Sequence, residues 1–141
     1  MILVDTSIWI DHLRDGDSAL ERLLIGGVVL GHPWVIGELA LGQLAQRQEI
    51  LALLRSLPMA DVVTPDEVLL FVERRQLIGL GIGYVDIQLL AATQVTPNAM
   101  LWTADKRLGA AATRLGLAVD PQELSSEPSS PESSRATQPP R

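Results

Sequence analysis

The sequence predicts a three-layer α/β fold in which a mostly parallel sheet lies between helices. Short apolar runs of strand length recur at residues 2–5, 28–31, 61–63, 100–103 and 117–119, and helical patterns separate them. Strands joined through helices imply right-handed crossovers and a parallel sheet covered on both faces. At 141 residues, 47% hydrophobic and with mean hydropathy +0.22, the chain can bury one substantial core.

The first run, Ile2-Leu3-Val4-Asp5, suits a buried strand, and Thr6-Ser7 reads as the cap of a helix reaching Arg14. A helical pattern continues from Ser18 to Ile25. After the second strand, Pro33 opens a helix as a first-turn proline. That helix and the next, ending before Pro58, carry Val35, Ile36, Leu39, Leu44, Ile50, Leu53 and Leu54. After the third strand, Thr64-Pro65-Asp66-Glu67 is a capping box with proline at the first helical position, and its helix runs to about Leu77. Gly79, Gly81 and Gly83 lack the flanking strand and Lys-Ser/Thr of a phosphate loop and read as a plain loop. A helix over residues 84–94, the fourth strand, a helix over residues 106–115 and the last strand complete the domain.

Composition changes once, near Pro121. Residues 121–141 are rich in Ser and Pro and nearly free of hydrophobic side chains, so they read as a flexible tail behind a domain of residues 1–120. The absence of Cys excludes disulfide frameworks, thiolate metal sites and cysteine nucleophiles. Two histidines, His12 and His32, cannot build a multi-His metal cage. The N-terminus lacks a basic region before its apolar run, and no apolar stretch reaches membrane-spanning length, so a cytoplasmic protein is expected. The formal charge of −6 argues against binding nucleic acid by simple charge attraction.

Four carboxylates stand where acids are rare. Asp5 ends an apolar strand, Glu38 and Asp86 lie inside apolar helical segments, and Asp105 follows the strand Met100-Leu101-Trp102-Thr103. Such groups need hydrogen bonds, ion pairs or a metal. In open parallel sheets the ligand crevice lies beyond the carboxyl ends of the strands, where Asp5 and Asp105 fall. Glu38 and Asp86, in the first turns of their helices, are expected at that same edge. Gathered carboxylates repel unless cations intervene, and oxygen ligands without Cys or His select Mg²⁺ or Mn²⁺. Phosphodiester hydrolysis by a metal-activated water fits this set.

Asp5-Thr6-Ser7 after an N-terminal strand, Glu38 in an apolar helix, Gly83-Tyr84-Val85-Asp86-Ile87 heading a Leu/Ala helix, and Thr103-Ala104-Asp105 after a later strand resemble PIN-domain nucleases. In its length and these motifs the chain resembles the VapC toxins of VapBC toxin–antitoxin modules over residues 1–120. The resemblance implies a Mg²⁺- or Mn²⁺-dependent endoribonuclease, commonly dimeric, silenced by a cognate VapB-like antitoxin. It implies that Asp5, Glu38, Asp86 and Asp105 form the metal site and that Thr6 and Thr103 support it through hydroxyls.

Plainer roles stand beside each of these. Asp5 and Asp105 suit helix caps, Glu38 an ion pair with Arg47 or Arg55, and Asp86 a charge at a helix N-terminus. Lys106 and Arg107 suit either substrate phosphates or a solvated helix face. Trp9, Trp34 and Trp102 read as core, and Asp120 as a surface turn with a place in the site left open. Other functional readings are a nuclease for DNA or structured nucleic acid, a phosphoacceptor module, and a catalytically silent binding module. The phosphoacceptor expects an Asp at the end of the third strand, where Val62-Val63 stand. Apart from the four acids, residues 1–120 hold ten acids against nine bases, so bound divalent ions would leave the domain close to neutral.

Overall fold

The computed structural model describes residues 1–125, in the order β1 (Ile2–Val4), α1 (Thr6–Asp15), α2 (Ser18–Ile25), β2 (Val29–Leu30), α3 (Pro33–Ala40), α4 (Arg47–Ser56), α5 (Pro65–Arg74), α6 (Tyr84–Val95), β3 (Met100–Trp102), α7 (Lys106–Arg114) and α8 (Pro121–Ser125). The strands form a parallel sheet of order β2-β1-β3, flanked by helices, as the sequence predicts. Ile2, Leu3 and Val4 are all buried, as a central parallel strand with both faces covered requires. Leu3 faces Leu30 on one side and Leu101 on the other, and Val4 faces Trp102. The Asp5 N–H donates to the Trp102 carbonyl at 2.9 Å, so β1 and β3 stay paired up to the residue where both chains leave the sheet.

One expected strand, 117–119, shrinks to a single bridge, and in place of another, 61–63, a bridge forms two residues earlier. Met59 pairs with Gly31 beside β2, and Ala118 pairs with Leu101 beside β3, each parallel and on the sheet's outer flank. Residues 61–63 pair with no strand. Ala60 N–H still reaches Gly31 O, but the Asp61 N–H turns to the Thr96 hydroxyl at the end of α6. Val63 is buried while Val62 is half exposed, so this segment packs one side chain without joining the ladder.

Residues 87–93 of α6 are all buried, and the helix packs against α5, α7 and β3. Their apolar run without strong sidedness is what a helix covered nearly all round requires. Leu89 and Leu90 are fully buried, each worth about 1.5–3 kcal/mol relative to exposure. The Thr64 hydroxyl accepts from the Glu67 N–H, one half of the predicted capping box, and donates to the Glu67 carboxylate in place of that carboxylate's bond to the Thr64 N–H, and α5 stops at Arg74 rather than Leu77. Arg114 donates to the Arg75 and Gln76 carbonyls, closing the end of α5 onto α7.

The caps differ in one respect from expectation. Asp5, not Thr6 or Ser7, caps α1, its carboxylate accepting from the Thr6 N–H. Residues 121–125, the expected start of the tail, form α8, which Asp120 caps through the Gln122 N–H and which Arg22 ties to α2 through the Leu124 carbonyl. The remainder of the expected tail, residues 126–141, lies outside the described residues. Among the described residues no helix is long and apolar enough to cross a membrane.

His32 is fully buried and caps α3, with its Nδ1 accepting from the Trp34 N–H at 3.0 Å. Burial lowers its pKa from 6.5 to about 4. A depressed imidazole contributes stability that is complete above the unfolded value and is lost as pH falls from 6.5 through about 4. His32→Asn, which keeps a capping acceptor, should flatten this acid limb in thermal melts between pH 7 and pH 4. An unchanged limb would contradict the assignment of acid sensitivity to His32.

Candidate active site

The pairing of β1 with β3 sets Asp5 beside Thr103, each one residue past its strand. Asp5 is 4% exposed, and its carboxylate accepts three hydrogen bonds. These come from the Thr6 N–H (2.7 Å) to Oδ1, and from the Ser7 hydroxyl (2.9 Å) and the Thr103 hydroxyl (2.6 Å) to Oδ2. An acceptor-only carboxylate satisfies all three donors. The hydroxyls are themselves fixed: Ser7 Oγ accepts from the Ala104 N–H at 3.1 Å, and Thr103 Oγ1 from the Asp105 N–H at 3.0 Å. Ser7 is the supporting residue that sequence reasoning missed, because a serine just after an aspartate at a helix start reads as a cap.

Asp105 caps α7, with Oδ1 accepting from the Leu108 N–H at 2.8 Å. The cap holds the carboxylate at the sheet's carboxyl edge, so capping and site placement act together. Glu38 is exposed on the second turn of α3, one turn later than expected, because Pro33 opens the helix. Its Oε1 accepts from the Thr6 hydroxyl at 2.6 Å, so Thr6 links α1 to Glu38, and the plainer alternative of an ion pair with Arg47 or Arg55 does not form among the described residues.

Asp86 lies half-buried in the first turn of α6. Its pKa rises from 3.8 to about 6, first through burial and then through the negative charges of Asp5, Asp105 and Glu38. The favourable helix N-terminus does not outweigh these effects. The four acids therefore share one field. Among the described residues the ion pairs both belong to Arg14, with Asp11 and Asp15, so no basic side chain neutralises the four. Among the same residues no three His, Asp or Glu side chains stand in ready-made metal-binding geometry. The carboxylates are within Coulombic reach of Asp86 but are not gathered on one point, and repulsion between like charges opposes closer approach.

The remaining candidates divide. Lys106 is exposed at the first position of α7, next to Asp105. Arg107 donates to the Gly81 carbonyl at 3.3 Å and so fastens the glycine loop to α7. Gly81, at φ +72°, leaves room for that guanidinium, which an added Cβ would meet at 2.5 Å. Trp9 and Trp102 are core, but Trp34 is 43% exposed. Val35 and Leu39 bury the inner face of α3, which turns Trp34 and Glu38, four residues apart, outward together.

Because the raised Asp86 pKa lies above the unfolded value, ionisation of this group opposes folding, and its contribution declines as pH rises from 3.8 through about 6. In EDTA at pH 7, Asp86→Asn should be the more stable protein by on the order of 1 kcal/mol after discounting for solvent screening. The gain should vanish below about pH 4. Urea unfolding at both pH values reads the difference, and equal stability at pH 7 would contradict the shared field.

Neither a family profile nor a solved structure matches the chain. Among curated proteins, it is 51% identical over 119 residues to Ribonuclease VapC32 of Mycobacterium tuberculosis strain CDC 1551 / Oshkosh, a match covering 84% of this chain and 96% of that protein. Ribonuclease VapC32 of strain ATCC 25618 / H37Rv matches with the same identity and coverage. Identity at this level over almost the whole of the relative places the chain in its family: it belongs to the VapC ribonucleases.

Proposed function

We propose that the chain is an endoribonuclease, the toxin of a type II toxin–antitoxin pair, and that Asp5, Glu38, Asp86 and Asp105 hold Mg²⁺ or Mn²⁺ for hydrolysis of RNA phosphodiester bonds. The observation that carries this reading is the shared field of four carboxylates with no basic partner among the described residues. The relatives, named ribonucleases, supply the reaction class. The donor set fits a hard divalent cation: carboxylate oxygens backed by hydroxyls, in a chain without cysteine. When bound, such an ion supplies positive charge against phosphate oxygens and acidifies a water for attack on phosphorus.

The chain's own residues do the positioning. Thr103 and Ser7 lock the Asp5 carboxylate between the ends of β1 and β3, and Thr6 turns Glu38 toward α1. Asp105 is held by its cap, and Asp86 enters from α6. Fixing ligands through second contacts limits the reorganisation needed at the reacting phosphate. On this reading Lys106, exposed beside Asp105, meets the RNA backbone, while Arg107 serves first to hold the loop at Gly81. A ribonuclease acting on its own cell's RNA needs restraint, so a VapB-like antitoxin, a cytoplasmic location and the homodimer common in such proteins complete the reading.

The expected behaviour is cleavage of single-stranded RNA in Mg²⁺ or Mn²⁺ that EDTA abolishes. Thr103→Val should slow cleavage on the order of 10- to 100-fold by freeing the Asp5 carboxylate, and Asp5→Asn should slow it further. Unchanged cleavage by Asp5→Asn would overturn the site. Matched DNA strands should resist; equal cleavage of RNA and DNA would favour the broader nuclease reading, since the 2′-hydroxyl is the available discriminator.

A further inference from the structure

From the groove beside the acids, and resting on the ribonuclease reading, we infer that Trp34 and Tyr84 form a stacking platform for an RNA base next to the scissile phosphate. The chain has five aromatic side chains of the Phe, Trp and Tyr types. Trp9 and Trp102 are buried and Phe71 is partly buried, whereas Trp34 is 43% and Tyr84 47% exposed. Exposure of a single ring is ordinary, but adjoining exposed apolar groups mark a contact surface. These two lie together, with ring centroids 6.3 Å apart and planes inclined by 60°.

Their position ties them to the acids. Trp34 precedes Glu38 by one helical turn on α3, and Tyr84 precedes Asp86 by two residues at the start of α6. A groove of about 540 Å³ runs along Trp34, Gly37, Leu41 and Val85 and includes Glu38 in its wall. Gly37 meets no atom within 4 Å of an added Cβ, so the groove floor there is open.

The Tyr84 ring is held from behind, where the buried Gln88 donates to its hydroxyl at 3.1 Å, and the Trp34 backbone is fixed by its N–H bond to the fully buried His32. A ring with its orientation fixed loses little entropy on binding.

An RNA base is the occupant this surface fits. Phosphates held through a cation at the acids leave the adjoining bases without a partner, and a phosphate in the groove itself would lose its water among Pro33, Gly37, Leu41 and Val85 with no basic side chain in the lining. A neutral π-face avoids that penalty and gains stacking on the rings. Stacking is tolerant of base identity, so the platform would fix the register of the strand rather than select its sequence.

The test uses the full chain carrying Asp5→Asn, with RNA integrity checked on gels. Fluorescence anisotropy compares a labelled 12-nucleotide oligoadenylate with an abasic 12-mer of equal charge, in Mg²⁺. The oligoadenylate should bind on the order of 10-fold tighter. Trp34→Ala and Tyr84→Ala should each remove most of that difference and leave abasic binding unchanged. Trp34→Phe should retain it, and circular dichroism melts identify any variant that loses its fold.

In the cleaving protein, Trp34→Ala should raise KM for single-stranded RNA on the order of 10-fold with kcat within about twofold. Equal affinity for the two 12-mers in the parent would overturn the platform, as would a difference that survives both alanine variants. Altered elution on size exclusion with base discrimination intact would instead assign the face to a second copy or an antitoxin. Absence of RNA cleavage by the protein with Asp5 restored would overturn the ribonuclease reading alone, since the binding comparison stands without it.

Discussion

The Asp5 carboxylate is the constraint on which the rest of the site depends. It is buried, it caps α1, and it accepts hydroxyls from α1 and from the end of β3. A buried carboxylate without donors would be strongly unfavourable, so the hydrogen bonds require the β1 and β3 ends to stay in register. That register is set independently by Leu3 against Leu101 and Val4 against Trp102 in the core. Packing and polar satisfaction therefore favour the same geometry, and the chain that leaves β3 delivers Thr103 to Asp5 and, two residues on, Asp105 to the start of α7.

Charge gives the domain its direction. Without the four acids, residues 1–120 carry ten acids and nine bases, a nearly neutral body. The acidic excess is concentrated where β1 and β3 end and where α3 and α6 bring Glu38 and Asp86. Burial first, and then three like-charged neighbours, push Asp86 up to about 6. Local placement of charge, not net charge, is then what governs approach of a polyanion. The same edge carries Trp34 and Tyr84, so neutral aromatic surface lies against the charged centre.

The four acids were legible in the sequence because each interrupts an apolar segment, and the fold was legible because strands and helices alternate. Cap and site were offered as rival roles for Asp5 and Asp105, yet both residues cap a helix while facing the shared field. Residues 61–63 and 117–119 read as strands from their apolar character, but strand formation also needs a neighbouring backbone: Ala118 bridges Leu101, whereas beside β2 the bridge falls at Met59 and residues 61–63 join no ladder. Trp34 reads as core because α3 is apolar on nearly every side; only the packing of Val35 and Leu39 decides which face turns in. Ser7 stayed hidden because its second partner, the Ala104 N–H, lies 97 residues away.

The claim that the four carboxylates form one cation site is tested most directly by anomalous diffraction from crystals soaked in Mn²⁺. The account predicts a manganese peak bounded by the Asp5, Asp86 and Asp105 carboxylates, with Glu38 on its rim, and a weaker peak in Asp5→Asn crystals. Manganese bound elsewhere on the domain while these carboxylates remain apart would contradict it.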